Sequence, residues 1–202
     1  MNRFPIRYPL LIPLLLLHTV QSAAQQSCAA CSFVITWDNK LIQGEILDIY
    51  YADWRTDVTF RNAFGRTYQF SPARVGGFLQ IEDQDTMIYE SKYAKDRWLF
   101  LRRVHKAEQL SLYQSPQWKW ALVRGVTGME QIYMPVNEVW LEFRKKRPFR
   151  IYPLTYKKEL RRRFAKFPDL ADKIGTTGYK FKDIHKIVME YNELYALNQR
   201  RI

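Results

Sequence analysis

From residue 33 to residue 143 the apolar positions of this chain recur every second residue, and beyond Pro153 they recur every 3.6. That switch constrains the fold more than any other feature. Short alternating runs separated by Gly, Pro, Asn and Asp build antiparallel sheet. A 3.6-residue stripe builds helices that must dock their apolar face on a core. No strand–helix–strand crossover intervenes, which argues against a doubly wound parallel fold. The expected class is α+β. An N-terminal antiparallel β sheet, a roll or meander, occupies 25–143. A basic linker and a C-terminal three-helix segment over 144–202 pack on it.

Within the β part, residues 33–37 read as a strand closed by the turn signal Asp38-Asn39. Residues 41–51 form a longer strand in which Gly44 marks a bulge or a close approach. Residues 57–60 and 67–70 are spaced as a hairpin. The stretch 71–78 breaks the alternation, and Ser71 before Pro72 suits the cap of a single helical turn. Strands at 78–81 and 87–89 flank an acidic tip, Glu82 to Asp85, and further strands are expected at 98–104, 110–113, 117–123, 131–134 and 139–143. In the helical part Thr155 is placed to cap a helix striped by Tyr156, Leu160, Phe164 and Phe167, which Pro168 ends. A short second helix follows at 169–174, closed by Gly175. A third at 181–197 puts Phe181, Ile184, Ile187, Val188, Tyr191, Leu194 and Tyr195 on one face.

The first residues set the compartment. Arg3 and Arg7 precede the apolar run 10–17, and Ser22, Ala23 and Ala24 are the small residues a signal peptidase reads. Residues 1–24 are therefore expected to be a secretory signal peptide. The run is too short, and too broken by Pro9 and Pro13, to cross about 30 Å of hydrocarbon. No later stretch approaches the length of a spanning helix. The expectation is an exported protein, in the periplasm, associated with the outer membrane, or secreted. Removing those 24 of the 202 residues leaves 178, a length that can bury about 70% of its unfolded surface without staples. Cys28 and Cys31 follow in C-x-x-C spacing. They lie ahead of the first strand rather than at the start of a helix, and read as an inert or disulfide-bonded pair rather than a redox couple. No lipobox precedes either one.

Formal net charge is +12 at pH 7, and it is local. Residues 144–166 hold eleven basic side chains against one acidic, Glu159, while the rest of the chain beyond residue 24 is balanced. The basic residues are Arg144, Lys145, Lys146, Arg147, Arg150, Lys157, Lys158, Arg161, Arg162, Arg163 and Lys166. Most such runs are ordinary solvated faces. A face of this kind also takes anionic lipid, lipopolysaccharide or acidic glycan through charge-assisted contacts, which makes these residues the anion-binding candidates. Nucleic acid shares the footprint, but export argues against it and no nucleic-acid module is present. Six tryptophans stand among the 15% aromatic residues, and such rings most often fill a β core. Trp118 and Trp120 fall on one strand face, so they are both core or both surface. As surface rings they would stack on a sugar or a partner protein.

Four short stretches carry a resemblance: Ser71-Pro72 to Gly77-Phe78, Tyr89-Glu90-Ser91, Leu110-Ser111-Leu112-Tyr113, and the terminal Tyr191-Asn192. The Tyr/Leu/Phe-striped helix ending in Phe167-Pro168-Asp169-Leu170 adds to it. In these the chain resembles a group of uncharacterised exported α+β proteins common in the Bacteroidetes. It departs from that group at Lys106-Ala107-Glu108, where a glycine is expected before Leu110. The resemblance implies an envelope or secreted location and an α+β fold, and brings no activity, cofactor or site residue.

The usual catalytic and metal-binding patterns are missing from the sequence. His105 and His185, the two histidines beyond residue 24, have no cysteine or carboxylate at metal-ligand spacing. There is no H-E-x-x-H and no G-x-S-x-G, and Gly175-Thr176-Thr177-Gly178 lacks the phosphate-loop lysine. The acidic tip reads as a solvated hairpin end rather than a calcium loop. No catalytic residue, metal site or cofactor is assigned. The resulting expectation is an exported envelope protein, a non-enzymatic binding or scaffolding domain whose basic face meets an anionic surface or an envelope protein. The alternative is an envelope hydrolase acting on polysaccharide or peptide, whose carboxylates converge only in three dimensions.

Overall fold

The computed structural model describes residues 32–82, 85–125, 128–144 and 146–200. The expected signal peptide, Cys28, Cys31, Lys145 and two residues of the acidic tip lie outside them. The described chain is mostly antiparallel β sheet followed by a C-terminal helical segment, so the α+β class holds. The strands are β1 Ser32–Ile35, β2 Leu41–Tyr51, β3 Thr56–Asn62, β4 Thr67–Phe70, β5 Gly77–Glu82, β6 Asp85–Ala94, β7 Arg97–His105, β8 Leu110–Gln114, β9 Trp118–Arg124, β10 Met129–Pro135, β11 Val139–Phe143 and β12 Phe149–Ile151. Ten of them form one sheet in the order β12-β11-β8-β7-β6-β5-β1-β2-β3-β4, and β9 pairs with β10 as a separate ribbon.

The strand order departs from a simple meander at one place. After β4 the chain returns to lay β5 beside β1, four strand positions away. The connection, residues 71–76, reaches about 20 Å when fully extended, which barely equals four spacings of about 4.8 Å across a flat sheet. The sheet resolves this by curling. Val58 and Phe60 of β3 and Phe70 of β4 join Val34, Phe78, Tyr89 and Phe100 in one apolar cluster, so the β4 edge bends over the middle strands. Within it Phe78 stacks on Tyr89 at 4.4 Å and meets Phe100 edge-on at 5.0 Å. The connection is a hydrogen-bonded turn, with the Arg74 N–H donating to the Ser71 carbonyl, rather than a capped helical turn.

Gly44 proves to be a close approach. A β-carbon there would sit 2.2 Å from the Arg61 carbonyl oxygen and 2.4 Å from the Phe60 ring. The bulge of β2 lies between Ile46 and Asp48 instead.

The helices are α1 Tyr156–Arg163, α2 Pro168–Lys173 and α3 Ile184–Gln199, the last entered through a 3-10 turn at Phe181–Asp183. Alternation along β8 and β11 decides which residues meet them. Leu110, Leu112, Val139 and Leu141 join Ile151 of β12 and the stripe Tyr156, Leu160, Phe164, Leu170, Ile187, Val188 and Tyr191 in the largest core. Tyr113 and Trp140, one residue out of phase, point to the other face and pack with Tyr51, Leu99 and Leu101. Thr155 precedes α1 but its side chain makes no capping bond. Phe167 is extended before Pro168, and Gly175, at φ +96°, closes α2. The Asn192 side chain accepts from the Leu110 N–H at 3.1 Å and donates to the Leu110 carbonyl at 2.9 Å, which ties α3 to the start of β8. Among the described residues no helix is long and apolar enough to cross a membrane.

Candidate functional site

Where the loop between β11 and β12 meets α1 and α3, a cleft of about 380 Å³ opens. It is lined by Gln109, Phe143, Arg144, Lys146, Arg147, Phe149, Arg163 and Tyr191. Its apolar wall follows from strand register. Leu141 pairs with Phe149 across β11 and β12, which brings Phe143 and Phe149 into a stack at 6.0 Å and 9°. Tyr191 of α3 meets Phe143 edge-on at 5.8 Å. Arg163, in the last turn of α1, lays its guanidinium 3.7 Å from the Phe149 ring centroid. That contact fixes a planar cation over an aromatic face and leaves its outward N–H groups available.

Arg144 sits in the turn after β11 at φ +39°, in the left-handed region that costs a non-glycine residue about 1 kcal/mol. Two bonds to Gln109 hold it there, from its N–H to the Gln109 carbonyl at 3.0 Å and from its guanidinium to the Gln109 side chain. Arg147 has one acidic neighbour, Asp96, at 3.8 Å, and both are largely exposed. Arg163 has Glu159 at 3.5 Å. Among the described residues no carboxylate lines the cleft. Four cations around an aromatic wall give it a strongly positive potential that a phosphate, sulfate or carboxylate would relieve.

The basic window thus divides. Arg144, Lys146, Arg147 and Arg163 converge. Arg150 does not, because alternation in β12 turns it away from Phe149 and Ile151. It points instead to Glu138, which is 2% exposed, at 2.8 Å. Arg161 donates to the Asp172 and Ile174 carbonyls at 3.3 and 3.0 Å, so it ties the end of α2 to α1. Arg162 pairs with Glu159 at 2.9 Å. Lys166 lies over the Tyr195 ring at 4.6 Å. Lys157 and Lys158 are exposed on α1 away from the cleft. The aromatic wall and the turning away of Arg150 are not legible in the sequence, because Phe149-Arg150-Ile151 is too short a run to announce a strand.

The tryptophans depart from the core expectation. Trp140 is buried, whereas Trp37, Trp54, Trp98 and Trp118 are exposed and Trp120 is half-buried. Trp118 and Trp120 do share one face of the β9–β10 ribbon, with Tyr133 between them at 5.2 and 4.9 Å. The ribbon is anchored from its opposite face. Lys119 donates to Asp53 at 2.6 Å and lies 3.6 Å from the buried Glu138, which also accepts from the Tyr51 hydroxyl at 2.6 Å. Burial, and then the charge of Glu138, push the Tyr51 hydroxyl well above the ordinary tyrosine range.

A second polar cluster lies beside the cleft and shares Arg144 with it. The Tyr113 hydroxyl is 2.9 Å from Glu90, 2.8 Å from Glu142 and 2.9 Å from the Lys106 ammonium. It has one proton to give, so it serves one carboxylate at a time while accepting from Lys106. Lys92 bridges Glu142 at 2.7 Å and Glu90 at 3.1 Å. Burial by itself would raise the Glu90 carboxyl, but bonding to Lys106 and the charge of Lys92 outweigh it and hold the group down at about 2. Burial, followed by the charges of Glu90 and Glu142, pushes Tyr113 far above its usual range. Glu90 and Glu142 are two carboxylates that the fold brings to one hydroxyl. A carboxyl ionised down to about pH 2 supplies no general acid near neutrality, and a tyrosine held protonated supplies no nucleophile. The cluster ties β6, β8 and β11 together. Among the described residues no group of three or more His, Cys, Asp and Glu is arranged to hold a metal ion.

No protein-family model matches this chain, and comparison with curated proteins and with solved structures finds no match either. The cleft stands on its own geometry.

Proposed function

We propose that this chain is an exported envelope protein that acts as a non-enzymatic binding domain, engaging phosphate-bearing lipid head groups through the cleft between the β11–β12 loop and α1. One observation carries the reading: Arg144, Lys146, Arg147 and Arg163 surround an aromatic wall with no carboxylate among the lining residues. The cations match a phosphate by charge-assisted bonds, and the exposed edges of Phe143 and Phe149 suit the apolar portion that adjoins a lipid head group. The leader-like residues 1–24 support delivery to the envelope.

The test is sedimentation of the full mature chain with phosphatidylethanolamine vesicles, with and without phosphatidylglycerol. Lys146→Glu/Arg147→Glu is compared with Lys157→Glu/Lys158→Glu, which changes net charge equally but lies outside the cleft. At about 1 kcal/mol per basic residue near an anionic surface, the cleft pair is expected to weaken binding by about thirtyfold or more. The α1 pair should weaken it far less. Equal losses would reduce the effect to diffuse charge and sink the cleft, as would absence of binding to the anionic vesicles. Lipopolysaccharide in place of phosphatidylglycerol then distinguishes the two sources of phosphate.

A further inference from the structure

The face of the β9–β10 ribbon opposite its anchor encloses a second groove, of about 320 Å³, against β2, β5 and β6. Its chemistry is unlike that of the cationic cleft. Trp118 is 45% exposed and Tyr133 is 49% exposed, an unusual cost for two large rings on a two-stranded ribbon. They are not loose. Trp118 stacks on Tyr133 at 19°, Trp120 leans on Tyr133 from the other side, and Lys119 holds the ribbon down through Asp53 and the buried Glu138. Trp118 has no second ring packed against it among the described residues, so it presents a rigid, open indole to the groove.

Apolar side chains, Leu47, Ile49, Met87 and Pro116, line part of the groove, and four hydrogen-bonding ones stand among them: Asp48, Gln80, Glu82 and Gln117. The Gln80 Oε1 is buried and has no hydrogen-bond partner among the described residues, while its Nε2 donates to Glu82 at 2.5 Å. An acceptor in that state calls for a donor from a ligand or a water. The groove runs on into a neighbouring pocket of about 420 Å³ through the shared residues Glu82, Met87 and Gln117, so it accommodates an extended chain.

These features select a ligand class. The carboxylates of Asp48 and Glu82 repel an anion from the Trp118 end, while in the adjoining pocket Glu82 and Asp85 stand against Arg102 and Arg103, which leaves that stretch balanced. A quaternary ammonium wants rings set at angles as a box, whereas Trp118 and Tyr133 stack almost parallel. A pyranose ring offers an apolar C–H face for an indole and a rim of hydroxyls for carboxylates and amides. We infer that the groove beneath the β9–β10 ribbon binds a neutral polysaccharide, with Trp118 as the stacking residue and Asp48, Gln80, Glu82 and Gln117 as hydroxyl partners. The protein then carries two separate sites, one for an anionic surface and one for a neutral glycan.

The experiment is native affinity electrophoresis of the full mature chain, run toward the cathode, in gels containing laminarin, xylan, galactomannan or amylopectin. Polygalacturonate serves as the acidic control. At least one neutral polymer is expected to retard the wild type. Trp118→Ala should weaken that retardation by about tenfold, a loss of stacking on an exposed ring that leaves the core intact, and Asp48→Asn should weaken it as well. Lys146→Glu/Arg147→Glu should leave it unchanged, which separates this site from the cationic cleft. Circular dichroism confirms that each variant is folded. No retardation by any neutral polymer overturns the inference. So does equal retardation of wild type and Trp118→Ala, or retardation by polygalacturonate alone that vanishes in the cleft variant.

Discussion

The charge cluster around Tyr113 makes a quantitative prediction for Glu90→Gln. Glutamine keeps an acceptor for the Tyr113 hydroxyl and the same shape, so the substitution isolates the charge. Glu90 is held at about 2 against an ordinary value of 4.5, its burial outweighed by Lys106 and Lys92. At about 1.4 kcal/mol per pH unit, the ionised carboxylate contributes about 3 kcal/mol. A carboxyl depressed in this way stabilises the fold while ionised. Its contribution is complete above the unfolded value of about 4.5 and is lost as pH falls through about 2. The gap in stability between wild type and Glu90→Gln is therefore expected to be about 3 kcal/mol at pH 7 and less than half of that at pH 3. Urea unfolding followed by tryptophan fluorescence, repeated between those limits, measures it. Taking the difference between the two proteins cancels the titration of other carboxylates to first order. The Lys106 side chain is 47% exposed, so added salt should shrink the gap at pH 7. A gap that stays constant from pH 7 to pH 3 would refute the reasoning, because it would mean that the ionised carboxylate is not held by its lysines.

Two further substitutions probe the frame around the sites. Asn192→Ala removes both bonds to the Leu110 backbone and leaves that N–H and carbonyl without the side-chain amide while the helix still covers them, so a loss of about 1–3 kcal/mol in urea unfolding is expected. A loss below about 0.5 kcal/mol would show that water replaces the clamp. Gly44→Ala pushes a methyl against the Arg61 carbonyl and the Phe60 ring, and should destabilise by about 1–3 kcal/mol with the loss appearing in thermal unfolding. A neutral or stabilising result would mean that the strand pair separates there at no cost.

Much of the architecture was legible because it is written in local period. Alternation announced a mostly antiparallel β part, and the change at Pro153 announced the helical segment after it, since burying one face of either element needs no knowledge of its partner. The short strand β12 was missed because three residues between two prolines carry almost no periodic signal. Nothing local announced the curl of the sheet, either. It follows from the long-range choice of β5 to pair with β1.

The sites divide in the same way. Charge density along 144–166 and the shared face of Trp118 and Trp120 are properties of the sequence itself, and both reappear in the structure. Which cations meet is not such a property. Arg163 reaches Arg144 and Arg147 only because α1 and α3 dock on β8, β11 and β12. Arg161, two residues earlier on the same helix, is directed into the carbonyls of α2. The polar side chains that line the groove with Trp118 come from β2, β5 and the residue before β9, segments far apart in the chain. By itself the sequence determined the class of fold, the apolar stripe of its helical segment and the location of its charge, since these depend on spacing along the chain. Only the tertiary structure decided which charges are spent on one another and which face a cleft, because that depends on distances between segments that the chain brings together at the end of folding.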